Sequence, residues 1–331
     1  MPPPGAGPAP IAILSEAGMR AAEAAWFAAD HDSFALMQVA AAAVARRAMA
    51  MLAAPSRILV MAGPGNNGGD AHVAAALLAA AGHSVEVVQA VPPAALGGDA
   101  ARAAAGWTGP CLPRAEAAPE TCRLIIDGLF GIGLERPVAG ELADLVRRCN
   151  GSGVPILAID IPSGVQADSG AILGQAVAAA VTVTFHAPKP GHFLYPGRAA
   201  CGRLEVADIG LPPTAADCWL NTPALWQAAF PVPGADTHKY ARGGVLVWSG
   251  PELAGGAARL AARAALRVGA GAVTLCGDRA ALRIHAAQVG AIMLAELDAE
   301  GFAGRMAGPK VAAACIGQGA GTGAARKVAE A

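Results

Sequence analysis

Gly63-Pro64-Gly65-Asn66-Asn67-Gly68-Gly69-Asp70 follows the short apolar run Ile58-Leu59-Val60-Met61 and leads into an Ala-rich stretch reaching Ala81. An apolar run, a glycine-rich turn and a helix, closed by a second apolar run from Val85 to Val88, make a β-α-β unit. The pattern predicts a loop over Gly63 to Gly69 and a helix over Asp70 to Ala81. Three readings of the loop compete. It matches G-x-G-x-x-G, with Glu86 about where a dinucleotide-binding fold keeps its ribose-binding acid. It also carries two amides and a carboxylate, more side-chain hydrogen-bonding capacity than a loop that works through backbone alone. A plain structural turn capped by Asp70 is the third. In the first two, glycines let backbone N–H groups approach a phosphate at a helix N-terminus.

Outward from that unit the same grammar repeats. Leu124-Ile125-Ile126 is a strand ending in Asp127, Glu141 to Cys149 a helix, Ile156-Leu157-Ala158-Ile159 a strand ending in Asp160, and Val181-Val183-Phe185 a further strand. Ile13 to Met51 reads as two Ala-rich helices broken near His31-Asp32-Ser33, with Asp32 or Ser33 capping the second. Strands alternating with helices give an α/β fold, a Rossmann-like doubly wound, mostly parallel sheet. Ligands of such sheets sit at the carboxyl ends of strands. Asn, Asp and Ser oxygens gathered there suit an alkali or alkaline-earth cation rather than zinc or copper. Asp127 and Asp160 also have a bland reading, as caps of the turns that follow them.

Composition narrows the classes. The 331 residues exceed what one core usually organises, so two domains are expected. A net charge of −1 and a pI near 6.6, with Lys and Arg scattered, give no footprint for nucleic acid. The 54% hydrophobic content is largely Ala, and no run reaches the roughly 18 to 20 apolar residues that span a bilayer. Met1 to Pro10 is rich in Pro and Gly, and no Lys or Arg precedes Arg20, so a cytoplasmic protein without a secretory signal is expected. The seven cysteines, Cys111, Cys122, Cys149, Cys201, Cys218, Cys276 and Cys315, form no C-x-x-C pair and read as reduced core residues. No H-E-x-x-H array points to a zinc hydrolase.

The texture turns irregular and rich in Pro and Trp near Ala207 to Asp236, and a second α/β unit follows. It shows a strand over Gly244 to Ser249, a helix over Ala257 to Val268, a strand over Ala272 to Leu275 and a Gly-rich loop over Gly317 to Gly323. The expected organisation is a flexible start at 1–12, a first domain at 13–211, a linker at 212–235 and a second domain at 236–331.

Four stretches together resemble the NAD(P)HX epimerase family. They are Gly63 to Asp70, Asp127-Gly128-Leu129-Phe130-Gly131, Asp160-Ile161-Pro162-Ser163-Gly164 and Ala187-Pro188-Lys189-Pro190-Gly191, in the family's order. The resemblance implies that Asn66, Asn67, Gly68, Gly69 and Asp70, with Gly131, Ile132, Gly133, Leu134, Glu135, Arg136 and Pro137, hold a hydrated NADH or NADPH. Asp160 would also contact it, and Asn67, Asp127 and Ser163 would ligate K+. Two stretches depart from the family: Ala71 stands where Gly is usual, and Leu36-Met37-Gln38-Val39-Ala40-Ala41 stands where Leu-Met-Glu-x-Ala-Gly is usual.

The second region resembles the ribokinase-like NAD(P)HX dehydratase often fused behind this epimerase. Thr237-His238-Lys239, Gly243 to Val247, Gly256 to Ala262, Val268 to Thr274 and Ile316-Gly317-Gln318-Gly319-Ala320-Gly321 carry the likeness. It implies substrate contacts at Ala257 and Gly321, and ADP or ATP as co-substrate of a complete domain. Lys239 is given no catalytic role. Because the later anion hole and catalytic Asp of such domains do not follow Gly321 in this sequence, no dehydratase activity is expected, and the unpaired sheet invites aggregation or proteolysis beyond about Asp236.

The epimerase resemblance implies a nicotinamide ring that has gained water at C6, inverted by a carboxylate that handles protons, and Asp160 is our choice. The partners expected are NADHX and NADPHX, with a homo-oligomer possible and neither nucleic acid nor membrane. Two rivals remain: a non-enzymatic scaffold on the same fold, and an NAD-dependent oxidoreductase.

Overall fold

The computed structural model describes residues 10–216, 218–317, 319 and 321–330, which fall into two compact units, Met1–Ala228 and Ala229–Ala331. Most of the stretch expected as a flexible start, and Gln318 and Ala320 of the Gly-rich loop, lie outside the described residues.

The first unit begins with β1 (Ala12–Ile13), α1 (Glu16–Ala28) and α2 (Ser33–Ala50). Ser15 caps α1 and Asp32 caps α2, each accepting a backbone N–H through its side chain. Then come β2 (Arg57–Ala62), α3 (Asn66–Ala80), β3 (Ser84–Gln89), α4 (Gly98–Ala105), β4 (Cys111–Leu112) and β5 (Leu124–Gly128). The rest is α5 (Gly140–Gly151), β6 (Ile156–Ile159), β7 (Val181–Phe185), α6 (Gly197–Ala200), β8 (Arg203–Ala207), β9 (Cys218–Trp219) and α7 (Pro223–Trp226).

Seven strands form one parallel sheet in the order β4-β3-β2-β5-β6-β7-β8. Successive residues of β2 point to opposite faces. Ile58, Val60 and Ala62 pack with α2 and α3, through Val44, Ala45, Ala74 and Leu78. Leu59 and Met61 pack with α5, through Leu145, Val146 and Cys149. Both faces are therefore covered, and β2, β5, β6 and β7 read as unbroken apolar runs because both faces are dry. The chain winds outward from β2 to β4, then restarts at β5 and winds the other way. The crevice at the ends of β2 and β5 is thus the topological switch point.

Three details differ from the sequence reading. The helix expected from Asp70 starts at Asn66, because Gly68 and Gly69 already donate to the Gly65 carbonyl at 2.9 and 3.1 Å. The segment expected as a linker contributes β9, which pairs antiparallel with β1, and the unit boundary falls at Ala228. Four cysteines, Cys122, Cys149, Cys201 and Cys276, are buried and free as expected, whereas Cys111 and Cys218 sit exposed on two-residue strands.

The second unit comprises β10 (Gly244–Trp248), α8 (Gly256–Val268), β11 (Ala272–Gly277), α9 (Arg279–Ala286), β12 (Met293–Glu296), α10 (Ala299–Met306), β13 (Val311–Cys315) and α11 (Thr322–Glu330). Its parallel sheet runs β12-β11-β10-β13. The loop expected over Gly317 to Gly323 gives way to α11 at Thr322. No described helix is long and apolar enough to cross a membrane.

Candidate functional site

The glycine-rich stretch is shaped by close approach. A Cβ on Gly63 would fall 1.6 Å from the Leu129 carbonyl oxygen, and one on Gly68 would fall 2.0 Å from the Gly63 carbonyl. Only glycine lets the turn after β2 nest against the turn after β5. Ala71, the departure from the family pattern, is fully buried, and its methyl faces Gly128, where a second Cβ would lie 2.6 Å away. Gln38, the other departure, is exposed on α2 and does not line the site.

At the end of β5, Asp127 is fully buried. Its Oδ1 accepts from Ser163 Oγ at 2.7 Å and Leu129 N–H at 3.3 Å, and its Oδ2 from Ser163 N–H at 2.8 Å. Burial pushes its carboxyl up to about 6, and the bonds from Ser163 hold it back from rising further. Asn67 is buried nearby, and neither its Oδ1 nor its Nδ2 meets a hydrogen-bond partner among the described residues.

At the end of β6, Asp160 takes a left-handed backbone, φ 63°, which an Asp tolerates better than most residues. The turn aims its side chain at Lys189, itself 1% exposed. Lys189 Nζ donates to Asp160 Oδ1 at 2.6 Å and to Thr184 Oγ1 at 2.8 Å, and Thr184 donates to the same Oδ1 at 2.9 Å. Burial would raise the Asp160 carboxyl, but the Lys189 ammonium overrides it and holds the group below its ordinary range. His192 fixes the arrangement from behind. Its Nδ1 accepts the Lys189 backbone N–H at 2.9 Å, so its Nε2–H donates to the Asp160 carbonyl at 2.9 Å. Burial, then the Lys189 charge, pushes that imidazole down to about 4, which keeps it neutral.

Above these groups lies a cavity of about 390 Å³. A smaller one of about 110 Å³ shares Glu23, Asn66, Asp70, Ile132, Asp160 and Phe185 with it. Asp70, buried, is pushed well above the usual carboxylate range by burial and by the charges of Asp160 and Glu23. Glu23 is raised by burial and then by Asp160.

The expected residues divide by position. Asn66, Asn67, Asp70, Gly131, Ile132, Gly133, Leu134 and Asp160 line the larger cavity. Gly68 and Gly69 are buried inside the first turn of α3, and Asp127 and Ser163 are buried outside the lining. Glu135, Arg136 and Pro137 are exposed beyond it. In the second unit a cavity of about 600 Å³ opens at the ends of β10, β11 and β12, and neither Ala257 nor Gly321, both exposed, lines it. Sequence reasoning missed Arg20 and Glu23 on α1, and gave Lys189, Thr184 and His192 no role. Lys189 stands in the fourth motif, but its burial against Asp160 leaves no mark in the sequence.

Glu86 weighs against the ordinary dinucleotide-binding reading. It is paired with Arg57 at 2.9 Å, mid-strand, while Gln89 ends β3 and is bonded to His72. The ribose-binding acid of that fold is therefore absent from the strand end.

The family described as YjeF-related protein N-terminus matches residues 33–191. The NAD(P)H-hydrate epimerase of Achromobacter xylosoxidans is 43% identical over 196 residues, which are 55% of this chain and 89% of that enzyme. This chain belongs to the NAD(P)H-hydrate epimerase family. It is also 37% identical over 247 residues to the bifunctional NAD(P)H-hydrate repair enzyme Nnr of Thermofilum pendens, covering 71% of this chain and 47% of that protein. The Nnr of Coxiella burnetii is 40% identical over 226 residues, 66% of this chain and 46% of that one. The chain thus spans nearly all of the single-function epimerase but about half of the bifunctional relatives. The family match takes in every group at the ends of β2, β5 and β6 but begins after α1, which adds Arg20 and Glu23 to the cavity wall.

Proposed function

We propose that the first unit interconverts the R and S epimers of hydrated NADH and NADPH. The observation that carries this reading is the buried Asp160–Lys189 pair facing a cavity at the switch point, in a chain 43% identical to an NAD(P)H-hydrate epimerase. Asn66, Asn67 and Asp70, with Gly131 to Leu134, bind the hydrated dinucleotide. Gly68 and Gly69 shape the helix N-terminus that receives it, and Glu135, Arg136 and Pro137 reach the substrate only where it extends beyond the cavity. Asp160 is the proton acceptor. Ionised and held still by Lys189 and Thr184, it keeps its Oδ2 toward Gly131, whose Cβ position lies 3.6 Å away.

Asn67, Asp127 and Ser163 fit a potassium ion. Asn67 holds an unpaired buried carbonyl oxygen, Asp127 is a desolvated carboxylate, and Ser163 Oγ keeps a lone pair after accepting from Phe130 N–H at 2.9 Å. Such an ion supplies positive charge that fixes loop and phosphate oxygens, and is too weak a Lewis acid for the chemical step. We assign the second unit to the ribokinase-like dehydratase fold, with ADP or ATP as co-substrate of the whole domain. Its four-stranded parallel sheet and the Nnr relatives support that assignment.

The test supplies a separate dehydratase specific for one epimer. Adding this protein should let both epimers be consumed faster than spontaneous epimerisation allows. No acceleration sinks the reading.

A further inference from the structure

We propose that Asp70 and Asp160 act as a facing acid and base across the cavity, Asp70 giving a proton to the departing C6 oxygen and Asp160 taking one from the water that returns. The proposal rests on the epimerase reading and names a second catalytic group for it.

Position comes first. Asp70 hangs from α3 beyond β2, and Asp160 follows β6; β5 runs between those strands. Neighbouring strands lie about 4.8 Å apart, so the ends of β2 and β6 stand on the order of 10 Å apart, with the cavity at the end of β5 between them. Both carboxylates line both cavities. Asp160 is anchored through one oxygen, by Lys189 and Thr184. The Asp70 carboxyl makes no hydrogen bond or ion pair to any described residue, so it is free to donate.

The charges around them sort their roles. Asp70 faces Glu23 from α1 and Asp160 from the end of β6; Asp99 of α4 and Lys189 also line the smaller cavity and Arg20 of α1 the larger, while α2 offers Ser33 and apolar Leu36 and Met37. Burial, then the negative charges of Asp160 and Glu23, push Asp70 toward its protonated form. Asp160 faces Lys189, with the neutral His192 behind it, and is held ionised. Two carboxyls driven in opposite directions by their surroundings are an acid and a base at one pH.

The step balances. The ring-nitrogen lone pair forms the N1=C6 double bond as the C6–O bond breaks, and the oxygen leaves with that bond's electron pair, takes the Asp70 proton and becomes water. A water then adds its lone pair to the other face of C6, the double-bond pair returns to nitrogen, and Asp160 accepts the proton shed by the new hydroxyl. One proton has passed from Asp70 to Asp160, and nothing is oxidised or reduced. The two carboxyls re-equilibrate with solvent between turnovers.

The test is the pH–rate profile of epimerisation, followed by coupling to the separate dehydratase. An acid that must stay protonated gives a limb falling with rising pH, and a base that must stay ionised gives a limb falling with falling pH. The native protein should show both. Asp70→Asn should lose the alkaline limb, with kcat down on the order of 10²- to 10⁴-fold. Glu23→Gln removes a negative charge beside Asp70 and should move that limb to lower pH. An alkaline limb retained in Asp70→Asn, or unmoved in Glu23→Gln, overturns the proposal. If Asp70→Asn fails to fold in a thermal melt, the Glu23→Gln profile decides. Failure of the epimerase reading is separate, since the native protein would then show no acceleration to profile.

Discussion

Two parallel sheets in this chain put polar groups at their strand ends, yet only one of them has sunk charge there. In the seven-stranded sheet, Asp127, Asp160 and Lys189 are each under 10% exposed, and β5, β6 and β7 are buried along their whole length. In the four-stranded sheet the corresponding acids stay in solvent's reach. Asp278 and Asp298 cap helices, and Glu296 pairs with Arg279 at side-chain exposures of 52% and 72%. The buried pair there is uncharged, Ser249 with His285 at 2.7 Å, and β13 exposes its middle residues. Burial, not topology, turns a polar strand end into a group with altered chemistry.

The largest effect that would break this contrast is on activity. Asp160→Asn keeps size and deletes the proton acceptor, so epimerisation should fall on the order of 10²- to 10⁴-fold, measured below a melting temperature that drops because Lys189 loses its counter-charge. Near-native turnover would move the base elsewhere. Lys189→Met tests the same pair through stability. It leaves a buried carboxylate without its counter-charge, and removing one partner of a buried pair typically costs about 3 to 5 kcal/mol. Denaturant titration of the first unit should read that loss, and a cost under about 1 kcal/mol would mean that the pair is solvated.

How much of this was open to sequence reading depends on range. The β-α-β unit and the acids after β5 and β6 were legible, because strand period and a terminal carboxylate are local features. The start of α3 was misread by four residues, since glycines that look like loop are here required by the approach of Gly63 to Leu129. Short or charged edge strands such as Cys111–Leu112 and Arg203–Ala207 leave no period to find. Glu23 hid inside an Ala-rich helix, where Ala blurs which face is buried. The Asp160–Lys189 pair joins positions 29 apart in the chain, a contact that only the fold reports.

Asp127 gives an intermediate effect that sharpens the contrast. Its folded value, about 6, lies above its unfolded one of 3.8. A raised carboxyl favours the folded state most below the unfolded value, and that contribution is lost as pH rises through the folded one. Stability should therefore fall between about pH 4 and 6, by on the order of 3 kcal/mol from this group. Asp127→Asn should flatten that slope. Potassium bound beside the carboxylate favours its ionised form, so adding potassium should raise the melting temperature more at pH 7.5 than at pH 5. An equal shift at both pH values, matched by sodium, would count against the site.

The smallest expected effect belongs to Arg279 and Glu296, the ion pair at the strand ends of the second unit. Its Nε–Oε2 distance of 2.8 Å is close to the 2.6 Å of Lys189 and Asp160, so distance alone would rank the two pairs together. Water decides otherwise. With both side chains mostly exposed, the attraction is screened, and the ordering of two long side chains offsets much of what remains. Arg279→Ala should cost about 0 to 1 kcal/mol in the second unit's unfolding, and the difference should disappear at high salt, where the screening length falls to about 3 Å. Asp160 and Lys189 should show far less salt dependence, because their side chains are only 12% and 1% exposed. A loss of several kcal/mol in Arg279→Ala, undiminished by salt, would mean that the second sheet also holds charge away from water, and the contrast between the two sheets would fail.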